Sequence, residues 1–461
     1  MSAADANASE PQLSVRFTTQ LEALRVTDAP IQLPTRLTRA GLSEVVNHLI
    51  TAQDGSHAAR PFDFLLEGVL VRGSLGQALA KQGMTGEVVA TLEYVECLPP
   101  PQPEQSCAHE DWIGGLAAHP GGARLLLSAC FNNSAYVWNA DGHRLAELTG
   151  HTAAVKAVAW LRGGSAGDAA DAPASASQVL RAASGSKDHT VRTWRMSING
   201  SGNGSAGRAV TSSECEACLV GHAASVESLA TNPAGEMLCS GAWDGSVLVW
   251  NTAAAAGLAN SADAAADEQP SKRAKAKKGA AASAAPPAEV TPVLTLYGHQ
   301  GSVSALCWPT AALVYSGSWD GTIREWQVES ETCSATLAGQ PAILSLDVSL
   351  AATLIASAHT DHTLRLWDSR LQQAALRLKL PHPGWVSGVK WCPNSAHLLA
   401  TSCYDGSVRI WDVRSTIPLH EMRAHDGGKA LCIEWDGAER LVSGGSDAQL
   451  KTATLALPSL S

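Results

Sequence analysis

"WDGSVLVW", residues 243–250, joins an Asp-Gly pair to an alternating apolar run that closes on Trp250. Asp-Gly suits a two-residue hairpin turn, where the backbone needs positive φ, and the alternation suits a strand with one buried face. The pattern recurs as "WDGTIREW" (319–326), "YDGSVRIW" (404–411), "KDHTVRTW" (187–194) and "TDHTLRLW" (360–367), each with an Asp six residues before the Trp. "FNNSAYVW" (131–138) fits with Asn132 in the Asp slot, and "SDAQLKTA" (446–453) fits with Asp447 and with Ala453 in place of Trp. That makes seven copies. Where nothing is inserted, Trp326 to Trp367 is 41 residues and Trp367 to Trp411 is 44. A period of this size marks repeated supersecondary units.

Two further slots move with the first. Four residues before each Asp slot stands a hydroxyl: Ser128, Ser184, Ser240, Ser316, Ser357, Thr401 and Ser443. Upstream of most copies stands a His, usually after Gly: His109, His151, His222, His299, His382 and His425, with Gly339-Gln340 in the fifth. A buried Asp can accept from the His ring, the ring can bond the hydroxyl, and the hydroxyl can accept from the indole N–H. Each polar group then has a partner, as burial demands. The sets expected are His151–Ser184–Asp188–Trp194, His222–Ser240–Asp244–Trp250, His299–Ser316–Asp320–Trp326 and His382–Thr401–Asp405–Trp411. Departures at Asn132, Gln340 and Ala453 should weaken the sets of the first, fifth and seventh copies. Trp160, Trp308, Trp391 and Trp435 share another slot, nine or ten residues after the His, and are expected to pack between units.

The "GH…WD" signature at this period resembles the WD40 family, which implies four-stranded antiparallel blades closing as a seven-bladed β-propeller. The expected fold class is mainly β: this propeller, preceded by a small α+β ubiquitin-like domain. The small domain is read over 12–98, after an N-terminus expected to be disordered (1–11). "LSVRFTT" and "IQLPT" read as strands. "GLSEVVNHLI" puts Leu42, Val45, Val46, Leu49 and Ile50 on one helical face. "FDFLLEGVLV" reads as a hairpin turning at Glu67-Gly68, "SLGQALAKQG" as a helix and "VATLEYVECL" as a strand. A proline-rich linker (99–107) leads to the propeller (108–461). Flexible insertions are expected at 163–177, 197–213 and 252–290 from their Gly, Ser and Ala content. The seventh blade needs one more strand, from residues near 99–107 or from "LALPSL" at the end.

The formal net charge of -10 excludes electrostatic binding to nucleic acid over the whole surface. The 11 Cys are scattered, mostly in apolar runs, and read as reduced thiols. Cys215 and Cys218 form a lone CxxC without the second pair that a zinc site needs. "MSAADANASEPQ" has no apolar core of a signal peptide, and no run reaches the length of a membrane span. Ser, His and Asp recur together as in a hydrolase triad, but an active site would be unique and this set repeats. The chain therefore reads as a non-enzyme with no cofactor and no small-molecule substrate.

"FDFLLEGVLVRGSL" with "GLSEVVNHLI" and "LEYVE", ahead of a proline run and "HEDW", resembles the Notchless-like (NLE) domain. In front of seven WD repeats it is similar to the WD-repeat ribosome-biogenesis factors of the pescadillo complex. The resemblance implies work in maturation of the large (60S) subunit, in the nucleolus and nucleoplasm. The implied partners are pescadillo and its WD-repeat partner, the pre-60S particle and the AAA ATPase midasin, with no membrane. It further implies that an acidic loop residue enters the MIDAS domain of midasin and completes the coordination of a Mg²⁺ held there. Glu87, in "GMTGEVVATLEY", matches that position, whereas chemistry alone reads it as a solvated carboxylate. Glu67 is the competing candidate. "SKRAKAKK" (271–278), with Lys272, Arg273, Lys275, Lys277 and Lys278, reads as a nuclear localisation signal. "WDSR" (367–370) and "WDVR" (411–414) resemble the WD-x-R motif of cullin–RING ligase substrate receptors, the rival reading.

Overall fold

The computed structural model describes residues 11–53, 55, 58–83, 89–121, 124–163, 178–199, 209–253, 287–338, 340–368 and 376–456. The chain divides into two compact units, one of Met1–Pro100 with Asp412–Thr416 and Leu455–Ser461, the other of Pro101–Trp411 with Ile417–Thr454.

In the N-terminal unit the elements follow the order anticipated: β1 (Gln12–Thr18), β2 (Ile31–Pro34), α1 (Arg39–Gln53), β3 (Phe62–Leu66), β4 (Val69–Leu70), α2 (Leu75–Lys81) and β5 (Ala90–Glu96). Glu67 (φ 50°) and Gly68 (φ 76°) make the tight turn between β3 and β4. The sheet order is β2-β1-β5-β3-β4. β5 lies at its centre, parallel to β1 and antiparallel to β3. One face of α1 closes the core through Leu42, Val46 and Ile50, with Val45 and Leu49 packed beside them. Tyr94 of β5 is fully buried, yet its hydroxyl donates to the Leu24 carbonyl (2.6 Å) and accepts from the Val26 amide (3.1 Å). A buried phenol is tolerated only with such partners.

The second unit contains, among the described residues, seven sheets, each with four antiparallel strands. Their inner strands are Ile113–Ala118, Val155–Leu161, Val226–Thr231, Val303–Cys307, Ile343–Ser349, Val386–Trp391 and Ala430–Asp436. Each inner strand packs against the next, and the seventh packs against the first, so the ring closes. Slot tryptophans fill the sheets: Trp138, Trp194, Trp250, Trp326, Trp367 and Trp411 are all at most 5% exposed. Burying an indole removes about 150–250 Å² from water, or roughly 4–6 kcal/mol of transfer free energy. Ala453 replaces this anchor in the seventh blade and is buried in its place.

That blade is closed from the front of the chain. Gln102–Ala108, β6, pairs antiparallel with Gln449–Thr454, matching Gln449 to Ala108 and Thr454 to Gln102. The stretch read as linker (99–107) is therefore mostly the outer strand of the propeller. Its prolines are compatible because an outermost strand needs N–H groups on one side only, and Pro103 falls at a register shift opposite Ala453. Two expected insertions also shrink. Strands reach Asn199 and restart at Ala209, so only 200–208 of 197–213 lies outside the described residues. Ala288–Val290 form a fifth strand on the second blade, parallel to Ala217–Leu219, at the end of the segment expected to be an insertion to 290. In the first place the two strands pair with each other, and in the second the free edge of the blade's outer strand supplies backbone partners to a segment whose composition signals none. Most of 163–177 and 252–290 lies outside the described residues, as do residues 1–10.

Candidate functional site

In the second, third and fourth blades, the four slots meet as a chain of hydrogen bonds. Trp194 Nε1 donates to Ser184 Oγ (2.8 Å), which contacts His151 Nε2 (2.8 Å), while His151 Nδ1 donates to Asp188 (2.8 Å). The Trp250–Ser240–His222–Asp244 distances are 2.8, 2.7 and 3.1 Å. Those of Trp326–Ser316–His299–Asp320 are 2.7, 2.7 and 2.9 Å. Burial alone would raise the Asp188 and Asp244 carboxyls. Bonds from the His and from Thr190 or Ser246 outweigh it and hold both well below the usual carboxylate range. Asp320 is brought to about 2 in the same way, by Thr322, the Gln300 amide and His299.

The other blades depart one by one. In the first, Ser128 still joins His109 and Trp138 (2.8 Å each), but Asn132 turns to Glu110 and Tyr136 and leaves His109 Nδ1 buried without a partner. Burial depresses this imidazole to about 4. In the seventh, His425 joins Asp447 (2.9 Å) and Ser443 (3.0 Å), with no indole to complete the set.

The sixth blade corrects the expected set. His382 bonds Thr401 (3.0 Å), and Thr401 accepts from Trp411 (3.0 Å), but His382 Nδ1 donates to the Leu380 carbonyl (3.2 Å), not to Asp405. Asp405 is instead held by Arg409 (2.9 Å) and Ser407. The blades also differ one residue before the His. In the second and fourth blades that residue is Gly150 or Gly298, and a Cβ there would strike the guanidinium of Arg192 (2.8 Å) or Arg324 (2.4 Å). Pro381 stands there in the sixth blade. Arg409 turns to Asp405, as Arg365 turns to Asp361 (2.6 Å) in the fifth blade, where no His takes the Asp either.

In the fifth blade, sequence reasoning missed a residue. His359 bonds Ser357 through Nε2 (2.8 Å) and the Pro341 carbonyl through Nδ1 (3.1 Å), and Trp367 completes the set (2.8 Å). It stands in for the His that Gln340 lacks. The signal was available: residues i and i+2 of a strand share a face, so a His two residues after the Ser slot can turn onto it. Of the four inter-blade tryptophans, Trp160 donates to Ala117 of the first blade and Trp435 to Lys390 of the sixth.

Every one of these hydroxyls is at most 4% exposed and lies against a His ring. No substrate carbonyl can approach such an oxygen, so the arrangement braces blades rather than performing acyl transfer. Cys215 and Cys218 lie on one strand, at Trp194 and Arg192 respectively, and burial raises both thiols. No cluster of three His, Cys, Asp or Glu able to hold a metal occurs among the described residues. In "WDVR", Arg414 binds Asp412 through two parallel bonds (Nε 3.0 Å, Nη2 2.7 Å). Arg370 of "WDSR" lies outside the described residues, as do Glu87 and the basic run 271–278. The described backbone leaves α2 at Gly83 and resumes at Val89, before the central strand β5. Glu67 sits exposed at the β3–β4 turn.

A closed ring of braced blades, preceded by a small α+β unit, defines a β-propeller protein with an N-terminal accessory unit. Residues 13–79 match the NLE (NUC135) domain model, and six segments between 101 and 412 match the WD domain, G-beta repeat. The seventh sheet, without its Trp and assembled from both ends of the propeller, goes unmatched in its C-terminal part. Curated relatives match almost end to end. "Ribosome biogenesis protein WDR12 homolog" of Chlamydomonas reinhardtii is 34% identical, covering 96% of this chain and 98% of its own. Its counterparts in Oryza sativa subsp. japonica (32%; 97% and 98%) and Arabidopsis thaliana (31%; 96% and 96%) are similar over the same span. The chain belongs to the WDR12 family of ribosome biogenesis proteins.

Proposed function

We propose that the chain is a non-enzymatic assembly factor for the large ribosomal subunit, acting in pre-rRNA processing and particle maturation within the pescadillo complex. The observation that carries this reading is the end-to-end likeness to proteins named for ribosome biogenesis, across both units and in the same order. The propeller is the docking platform for pescadillo's WD-repeat partner. The NLE unit is the handle for midasin, in the nucleolus and nucleoplasm.

Glu87 is the residue assigned to that handle. Mg²⁺ takes oxygen ligands in octahedral geometry and commonly keeps exchangeable water, which a carboxylate offered from outside can replace. The support is the match of Glu87 to the acidic position that the resemblance implies, a few residues before β5 in the sequence. The Mg²⁺ belongs to the partner, and this chain needs no cofactor of its own. The test is binding of the full chain to a midasin MIDAS domain with Mg²⁺ or with chelator. Glu87→Ala should abolish the Mg²⁺-dependent part. If Glu87→Ala binds normally and Glu67→Ala does not, the handle is the β3–β4 turn instead.

A further inference from the structure

Each blade repeats one backbone bond at the end where its inner strand begins. The residue before the Asp slot donates its N–H to the carbonyl of the residue preceding the inner strand: Phe131 to Trp112, Trp243 to Ser225, Tyr404 to Trp385, and so on through seven bonds of 2.9–3.1 Å. The second strand of each blade runs antiparallel to the first, so all of these pairs lie on one face and ring the mouth of the channel. They make fourteen rim positions, two per blade.

Six of the fourteen are aromatic: Trp112, Phe131, Trp243, Trp319, Trp385 and Tyr404. They stand as three pairs, with ring centroids 5.8 Å (Trp112–Phe131), 6.2 Å (Trp243–Trp319) and 5.4 Å (Trp385–Tyr404) apart. The blades that carry them do not need them, because each of those blades has its own buried slot Trp. The four rim tryptophans are 39–58% exposed. Exposed aromatics gathered on one face mark a binding surface, and Trp and Tyr carry most of the energy at protein interfaces.

The charges select the kind of partner. None of the fourteen positions is Asp or Glu, in a chain of net charge -10. Lys187 and Lys429 are the basic ones, resting on the rings of Phe131 (5.3 Å) and Tyr404 (4.7 Å). Lys156, just inside the mouth, also reaches Phe131 but is neutralised by Glu227 (3.5 Å). Two free cations are too few to track a phosphate backbone, where affinity grows with each phosphate neutralised. They suffice to place a few carboxylates between apolar anchors. We propose that this rim docks a protein segment bearing acidic residues interspersed with large apolar side chains.

The inference deepens the scaffold reading and rests on it, but its test uses purified components, so either can fail while the other stands. A random peptide display library is selected on the full chain, and an enriched peptide is titrated by fluorescence polarisation. The expected motif combines Asp or Glu with Leu, Ile or Phe. The double variant Trp243→Ala/Trp319→Ala, and Lys187→Glu/Lys429→Glu, should each weaken binding by roughly tenfold or more. Leu350→Ala, exposed in the turn after an inner strand and so on the opposite face, should not. Unchanged thermal unfolding of the variants separates lost contacts from lost fold. Selection without an acidic–apolar motif, or binding indifferent to the rim variants, overturns the proposal. So does a U12 RNA oligonucleotide whose binding disappears in the same variants, which would give the rim to RNA.

Discussion

Replacing Ser316 with Ala probes the bracing network where it is complete. Ser316 is fully buried, and its Oγ meets Trp326 Nε1 and His299 Nε2, each at 2.7 Å. Alanine fits the space but strands two buried nitrogens. An orphaned buried donor or acceptor costs about 1–3 kcal/mol. The His299–Asp320 bond survives, and a methyl is easier to bury than a hydroxyl, so the net loss should be about 2–4 kcal/mol. Denaturant unfolding of the full chain, followed by Trp fluorescence, reads this as a fall in midpoint with an unchanged slope. Ser330→Ala is the control: its hydroxyl bonds only Thr332, at an exposed turn, and such changes stay within about 0.5 kcal/mol. If the two variants unfold alike, the network is not what braces the fourth blade.

Acidification should weaken the fold well before the carboxylates titrate. Burial holds His109, His359 and His382 at about 4, against about 6.5 in an unfolded chain. Between those values the unfolded chain binds protons that the folded one refuses. Stability therefore rises with pH across that window and is lost as pH falls through it. Denaturant midpoints at pH 7.5 and 5.0 should differ, with the lower at 5.0; equal midpoints would remove these three rings from the account. Deleting 271–278 from a fluorescently tagged chain should leave it cytosolic, and undiminished nuclear signal would show that import uses another segment.

The parts of the propeller legible in sequence were those set by fixed spacing. Asp188, Asp244 and Asp320 sit where the hairpin turn puts them, and Gly150 and Gly298 leave room for the guanidinium of Arg192 and Arg324. The parts not legible depend on what fills that room. Arg324, Arg365 and Arg409 occupy equivalent positions, yet Arg365 and Arg409 bind their Asp while the Asp of the fourth blade takes the His, an outcome that no slot count contains. His359 escaped because it supplies the same ring from a different strand position. The choice of closing strand was open for another reason: β6 and the chain's end both read as edge strands, and only the pairing with Gln449–Thr454 distinguishes them. The NLE core was legible from helical and strand periodicity. Glu87 rests on the family resemblance alone, since a single acid between Gly86 and an alternating run has no periodicity to single it out.

A chain that works by binding within the maturing large subunit should carry its partners through purification. The decisive measurement is affinity purification of the tagged full chain from its own cells, with mass spectrometry of bound proteins and sequencing of bound RNA. Pescadillo, its WD-repeat partner and large-subunit precursor RNA should be recovered together. Recovery of cullin–RING ligase subunits, lost in Arg370→Ala or Arg414→Ala, with no pre-ribosomal RNA, would contradict it.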